Sequence, residues 1–388
     1  MKSSATNSTQ MKLSNKWLIL NIIRKKPVSR AEIARRTSLT RAAVTIITDD
    51  LIKDGVVIET GAAESEIGRK PILLDLNPEC HYFIGVSIAR NHYHVGITDI
   101  KGMLVMKREV VIDSSLDASA CIKKIGEAVS KIIEASGLPH EKFLGIGICS
   151  PGPVDINTGT ILNPPNFDKW HKFSIVEELK KISKFNVFLE NNSTSLTLME
   201  KNYGSGGDFC SFMLIVVDTG IGAGMIINNS LYRGSGGFGC EVGHASIDIN
   251  GIQCSCGNKG CLEVYASIPA VLRDMKRHGQ NRHSWNEVVD GALNGDMICK
   301  AAVEKEVWYL SAGIVNILNI LDLEAVILTG DINYKPEMLI SGIRDNIEKA
   351  VITRHIRKCQ IINSTIVKNS EVISAAAIVI EKYFKGEI

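Results

Sequence analysis

Residues 29–51 read SRAEIARRTSLTRAAVTIITDDL, and their spacing writes two short helices joined by a tight turn. Ser29 and Glu32 form a capping box: the Ser29 hydroxyl is expected to take the Glu32 amide while the Glu32 side chain reaches back to the Ser29 amide. The helix so started buries Ile33 and Ala34 and stops near Thr37. Thr40 then caps a second helix, with Leu39 and Val44 at the positions of a hydrophobic staple. Val44, Ile47 and Leu51 recur at i, i+3 and i+7, which gives this helix one buried stripe. Its other face opens with Arg41, Ala42 and Thr45. Ile46 beside them is left to touch a thymine methyl or to pack inward. Two short helices of this kind, the second led by small and basic residues, predict a helix-turn-helix.

Working outward, Trp17-Leu18-Ile19-Leu20-Asn21-Ile22-Ile23 has helical apolar spacing and ends at Lys25-Lys26-Pro27. Ahead of it, residues 1–13 are expected to be a disordered N-terminus, since Met1–Gln10 is rich in Ser, Thr and Asn. Downstream, Val56–Thr60 and Pro71–Leu76 read as two strands around a polar loop that ends Gly68-Arg69-Lys70-Pro71, the pattern of a wing. Arg69 and Lys70 are placed to meet phosphates or a narrow minor groove. Residues 14–79 are thus expected to be a winged helix-turn-helix, with Arg41, Ala42, Thr45, Arg69 and Lys70 as candidate DNA contacts. Charge agrees: residues 1–48 carry ten Lys/Arg against the single acid Glu32, and the other 340 residues sum to −7. A small helical unit that docks proteins is the alternative.

The 388-residue chain has a net charge of only +2, so it is no polycation. It is long enough for two or three domains. No apolar run approaches the ~20 residues that span a bilayer, and the N-terminus lacks the apolar stretch of a signal peptide. Of ten cysteines, seven are scattered and three crowd together. That distribution suits cytosolic thiols plus one metal site, and a cytoplasmic location.

From residue 80 the pattern becomes α/β. Tyr82–Ile88 and His92–Asp99 alternate as a strand hairpin, a helix is expected at about 116–136, and strands at Phe143–Ile148, Val187–Leu189, Phe212–Val217 and Ala325–Leu328. Asp218-Thr219-Gly220-Ile221-Gly222-Ala223-Gly224 is equally readable as a phosphate cradle or a glycine-rich hairpin. Cys254, Cys256 and Cys261, with His244 ten residues before the first, supply three thiols and an imidazole, a tetrahedral set for Zn²⁺. Four protein ligands leave no open position, so such a zinc is structural. Three reduced cysteines in a loop are the alternative. Ile373–Phe384 has a helical pattern and is expected to pack back on the first part of this body.

The run Asp218–Met225, then Leu231–Phe238, Glu241-Val-Gly-His244 and Cys254-x-Cys-Gly-x-x-Gly-Cys-x-Glu263, closely resembles the ROK family of repressors, open reading frames and sugar kinases. Ser150-Pro-Gly-Pro-Val and Asn163-Pro-Pro-Asn-Phe-x-x-Trp170 look like its other sugar-side motifs. The helix-turn-helix and the Gly-Arg-Lys-Pro wing match its repressor branch, above all the xylose-responsive repressors of Gram-positive bacteria. The resemblance implies an α/β fold, an N-terminal winged helix-turn-helix followed by a two-lobed actin/hexokinase-like sugar-kinase domain over residues 80–388. Lobe one would span about 80–200 plus the C-terminal helix, and lobe two about 201–367. It also implies that Asn166, Asn191, Glu241, His244 and Glu263 bind sugar hydroxyls, with His244 meeting zinc as well.

Two departures bear on activity. Kinases of the family carry an Asp as base where this chain has Asn192, after Glu190-Asn191, and an amide cannot take that proton at neutral pH. They also carry an Asp-x-Gly-Gly-Thr phosphate turn where this chain has Ser87-Ile88-Ala89-Arg90-Asn91. The expectation is therefore a non-enzymatic, sugar-responsive repressor of carbohydrate-utilisation genes. It would bind double-stranded operator DNA as a homodimer or dimer of dimers, with xylose as a possible effector, and sit at the nucleoid when bound. An ATP-dependent sugar kinase with an accessory DNA-binding domain is the runner-up. A purely architectural DNA-binding protein would leave the polar set and the cysteine loop unexplained.

Overall fold

The computed structural model describes residues 8–62, 71–89, 93–113, 115–165, 167–366 and 368–388, with side chains from Met11 onward and without that of Ala62. Three helices, α1 (Ser8–Ile23), α2 (Arg30–Thr37) and α3 (Arg41–Lys53), lead the chain, and α2 follows directly on a short strand β1 (Val28–Ser29). The caps form as the sequence asks. Ser29 accepts from the Glu32 amide at 3.3 Å and Thr40 from the Ala43 amide at 3.2 Å. The return half of the box is not made, because the Glu32 carboxylate turns to Arg35 at 2.8 and 2.7 Å instead. β2 (Val57–Ala62) and β3 (Ile72–Leu76) are antiparallel, and β1 adds to β3 in the order β1-β3-β2.

Ile19, Leu20, Ile23, Ile33, Val44, Leu51 and Leu74 close this core. Of the two residues expected inside α2, Ile33 is buried and Ala34 only partly so. Residues 1–7 lie outside the described residues, while residues 8–13, expected to belong to a disordered N-terminus, are helical in α1. Its early turns are held by Lys12 to Asp50 at 2.8 Å and Lys16 to Asp54 at 3.1 Å, partners that lie far along the sequence on and just after α3.

Two compact units divide the chain, one of residues up to Glu190 plus Glu371–Ile388, the other Asn191–Ser370. The three leading helices and their β1-β3-β2 sheet, expected as the winged segment, belong to the first. There they precede a five-stranded sheet of β4 (Tyr82–Ile88), β5 (Tyr93–Asp99), β6 (Leu104–Val110), β7 (Phe143–Ser150) and β10 (Val187–Asn191), in the order β10-β7-β4-β5-β6. β8 (Val154–Asp155) and β9 (Thr160–Ile161) form a small separate pair. Helices α4 (Ala118–Ser136) and α5 (Ile175–Ser183) bury Ile122, Ile125, Val129 and Leu179 in its core. The expected hairpin is thus a three-stranded meander, because β6 pairs with β5 from Leu104 to Val110.

The second unit repeats that order. It holds α6 (Asn192–Tyr203), then β11 (Phe212–Val217), β12 (Ile221–Ile227) and β13 (Ser230–Tyr232). Four helices follow: α7 (Glu263–Ala266), α8 (Ile268–Arg277), α9 (Trp285–Leu293) and α10 (Met297–Leu321). β14 (Ala325–Thr329), α11 (Glu337–Ala350) and β15 (Gln360–Asn363) complete it. The sheet order is β13-β12-β11-β14-β15, with β11, β14 and β15 parallel. In both units a three-strand meander is extended on its first strand by a parallel neighbour and then one strand more. The expected lobe boundary near residue 200 moves to Glu190, because α6 packs its Ser193 and Thr197 on β12.

The last helix, α12 (Ser370–Phe384), returns to the first unit. Gly85 on β4 and Gly147 on β7 make room for it: a Cβ at either would overlap the backbone carbonyl of Val372 or Ala375. Its far end grips α1. Asn21 donates to the Phe384 carbonyl at 2.9 Å, and Arg24 pairs with Glu381 at 3.1 Å while lying over the Phe384 ring. Trp17 meets Tyr383 edge-on. One helix therefore touches both the sheet of the first unit and the leading helix of the winged segment.

Candidate functional site

In the first half of α3 Arg41, Ala42, Thr45 and Ile46 are exposed, followed by Asp49, Asp50 and Lys53, while Val44, Ile47, Thr48 and Leu51 face inward. Ile46 is 58% exposed, which decides the open choice in favour of the outer face. Thr45 spends its hydroxyl proton on the Arg41 carbonyl at 2.9 Å and keeps its methyl and oxygen outward. The acids farther along are neutralised in place, Asp49 by Arg30 at 2.9 Å and Asp50 by Lys12. Arg36 at the end of α2 is also exposed. It is a basic side chain just before the turn, and no periodic pattern in the sequence singles it out. Arg69 and Lys70 lie outside the described residues.

His244, Cys254, Cys256 and Cys261 converge, every ligand atom within 4.8 Å of the others. Cys254 Sγ is 3.7 Å from His244 Nδ1, and Cys256 Sγ is 3.6 Å from Cys261 Sγ. Tetrahedral Zn–S bonds of about 2.3 Å put neighbouring sulfurs ~3.8 Å apart, so these edges fit such an ion. Backbone builds the cage. Cys254 N donates to Asn258 O at 2.8 Å, Ile247 N to Gly260 O at 2.8 Å, and Asn258 Nδ2 to His244 O at 3.3 Å. Burial, together with the neighbouring thiols, pushes the Cys261 thiol up to about 12, so its thiolate needs a cation beside it. The cluster can hold a metal ion with no position left open.

With Nδ1 turned to the thiols, His244 leaves Nε2 for another partner. Glu241 and Glu263 stand near it. Partial enclosure raises the Glu241 carboxyl although it stays exposed; the Glu263 charge adds to the rise and His244 opposes it. Glu263 Oε2 also accepts from the Ile221 amide at 3.0 Å, which ties α7 to the turn of the β11–β12 hairpin. That hairpin is the glycine motif. A Cβ at Gly222 or Gly224 would strike the Ser193 or Thr197 hydroxyl on α6, so these glycines serve close helix packing.

A carboxylate also stands at the head of the hairpin. Burial raises the Asp218 carboxyl to about 6; the Asp331 amide it accepts from works against the rise and the Asp331 charge adds to it. A carboxyl whose value is raised on folding supports the fold while protonated and loses that support as pH climbs through its folded value. Asp218→Asn is therefore expected to raise Tm by a few degrees at pH 8 and by much less at pH 4.5, read by calorimetry. Equal gains at both pH values would contradict it.

Asn191 is the N-cap of α6, its Oδ1 accepting from the Ser193 amide at 2.8 Å, so a ligand would meet its amide group. Asn192, expected from the resemblance to replace the kinase base, has a buried Oδ1 with no hydrogen-bond partner. It is a spare acceptor that the sequence marked only as a loss. Asn166 lies outside the described residues. Phe167 and Trp170 of the same motif are buried in the first unit, stacked at 6.0 Å, so they shape rather than touch. The structure thus gathers Glu241, His244 and Glu263 beside the cysteines.

A family model described as ROK family matches residues 83–382, and the chain belongs to that family. The xylose repressor of Bacillus spizizenii is 30% identical over 375 residues, 96% of each chain. The glucokinase of Thermotoga maritima is 27% identical over 315 residues, covering 77% of this chain and 97% of the enzyme. A solved ROK family transcriptional regulator, a homologue of the E. coli MLC protein, superposes with a TM-score of 0.82 at 23% identity, covering 97% of each chain. At that identity the likeness speaks for the fold: an N-terminal segment of three helices and a three-stranded sheet, consistent with a helix-turn-helix, ahead of an actin/hexokinase-like α/β domain. Among the described residues no helix is long and apolar enough to cross a membrane.

Proposed function

We propose that this chain is a sugar-responsive transcriptional repressor, working in the cytoplasm and, on its operator, at the nucleoid. The observation that carries it is one chain joining an exposed Arg41-Ala42-Thr45-Ile46 helix face to a carboxylate–imidazole–amide set whose catalytic position holds Asn192. In this proposal α3 enters the major groove of double-stranded DNA, with Arg69 and Lys70 on the backbone beside it. Two such faces in a homodimer, or a dimer of dimers, match a pseudopalindromic operator. Arg41→Ala is expected to weaken operator binding by about 1–3 kcal/mol, roughly 5- to 150-fold. Fluorescence anisotropy on the operator checks it, and an unchanged Kd would remove Arg41 from the interface.

On the sugar side, Glu241 and Glu263 accept from hydroxyls, His244 presents Nε2, and the Asn191 amide donates. The Asn192 oxygen accepts a hydroxyl without deprotonating it, so the sugar is held and not phosphorylated. Asn166 joins the set by its place in the motif. His244, Cys254, Cys256 and Cys261 would hold a structural Zn²⁺, which when bound fixes the imidazole's tautomer and aim. Relatives named as xylose repressors make D-xylose the first ligand to try.

Binding free energies of sugar and DNA are then reciprocally coupled. Calorimetry with a sugar panel, followed by operator titration with and without the tightest binder, tests the proposal. A change of tenfold or more in operator affinity is expected, with no sugar-dependent release of ADP from ATP. Equal operator affinity with every sugar would sink the sensor, and measurable turnover would favour the kinase.

A further inference from the structure

The first two turns of α3 expose more methyl groups than hydrogen-bonding groups. Arg41, Ala42, Thr45 and Ile46 are all exposed. Ala42 lies three and four residues before Thr45 and Ile46, so on a helix the three side chains are neighbours. Thr45 gives its hydroxyl proton to the Arg41 carbonyl at 2.9 Å, which leaves its methyl as part of the same patch. A single apolar side chain at a surface needs no explanation. Three together behind an exposed arginine do, the more so because Ile and Thr are poorer helix formers than the alanine that could stand there. We propose that Ala42, Thr45 and Ile46 read thymine methyl groups in the major groove, beside a guanine taken by Arg41. The inference rests on α3 being the DNA-reading helix and names the bases that it reads.

The other residues of α3 exclude the other bases. Adenine is read through paired bonds by Asn or Gln, and cytosine by a carboxylate. From Arg41 to Lys53 the helix holds neither Asn nor Gln. Its two acids are already engaged, Asp49 with Arg30 at 2.9 Å and Asp50 with Lys12 at 2.8 Å. Arg30 is anchored in turn by Glu59 at 2.8 Å and by the Thr48 hydroxyl at 3.1 Å. What remains on the first two turns is one guanidinium, which suits the O6 and N7 acceptors of guanine, and a methyl-lined patch. Thymine alone among the bases offers a methyl group to such a patch. The helix rise carries Ile46 about 7.5 Å beyond Arg41, close to two base steps of DNA. Each half-site is therefore expected to hold a guanine and, within about two base pairs of it, one or two thymines that the patch covers.

The probe is a duplex selected from a random-sequence library by the full-length protein. Each of its thymines is replaced in turn by deoxyuridine, which removes the methyl group and keeps the base pairing. Burial of one methyl is worth about fourfold in Kd, so at least one thymine per half-site should lose that much on substitution. Ile46→Ala should weaken binding of the thymine duplex by a similar factor, with Tm unchanged because the side chain is exposed. At the thymine that Ile46 covers, this variant should bind the thymine and deoxyuridine duplexes within twofold of each other. Thr45→Ser, which deletes a methyl and keeps the hydroxyl, should do the same at a thymine of its own or share that one. Arg41→Ala should relax the choice of guanine and leave the deoxyuridine losses in place. A selected duplex that tolerates every deoxyuridine, or losses that persist undiminished in Ile46→Ala and Thr45→Ser, would overturn the methyl patch while leaving α3 as a DNA reader. A library that yields no bound sequence would overturn the DNA reading itself, and the patch with it.

Discussion

An alanine at position 147 is expected to cost about 3 kcal/mol or more and to free α12 from the first unit. The reason is geometric: the added methyl falls on the Ala375 carbonyl and reaches Val379. Backbone cannot rotate aside as a side chain can, so either the helix or the strand must move. Domains of this kind are stable by only about 5–15 kcal/mol, which makes this a large fraction of the whole. The effect should reach the winged segment, because Glu381 and Phe384 on α12 hold Arg24 and Asn21 of α1. Hydrogen exchange should show lost protection in both helices, with a Tm lower by many degrees. Gly137→Ala is the control: its site is open, and only its φ of 65° is strained, at about 1 kcal/mol. Equal stability of the two variants would mean that α12 is not seated as described.

Cys261→Ser is expected to empty the metal cluster. Cys261 is wholly buried between the arms of its loop, and a neutral serine hydroxyl is a poor substitute for a thiolate. Structural zinc sites supply about 10–16 kcal/mol in small peptides, far more than the few backbone bonds of the loop can replace. Zinc measured by mass spectrometry should fall from one per chain to well below half. Sugar binding should weaken at least tenfold, since His244 and Glu263 flank the same loop. Operator affinity without sugar should change little, because α3 shares no residue with it. Full zinc retention in the variant, or none in the parent protein, would remove the metal from the account.

Much of this was written locally. Ser29 and Thr40 announced their helices because a cap and the amide it accepts from are three residues apart. The cysteines announced a ligand set because all three fall within eight residues, with His244 ten before. Pattern of period two or 3.6 placed β4, β5, β7, β10, β11 and β14 and the helices α1–α4 and α12, whereas α5–α11 were not expected from it. What failed was non-local. The start of α1 brings Lys12 and Lys16 to Asp50 and Asp54, nearly forty residues on, and β6 takes a register set by β5. The glycine motif could be read two ways until α6 was seen against Gly222 and Gly224.

The chain's helix caps and its candidate metal-ligand cluster were legible from residues that lie within 17 positions of one another, where local spacing limits the geometry. The repeated sheet order and the seating of α12 over Gly85 and Gly147 were decided only by tertiary packing. Those features arise between residues tens to hundreds of positions apart, and the energy that selects them exists only once the surfaces have met.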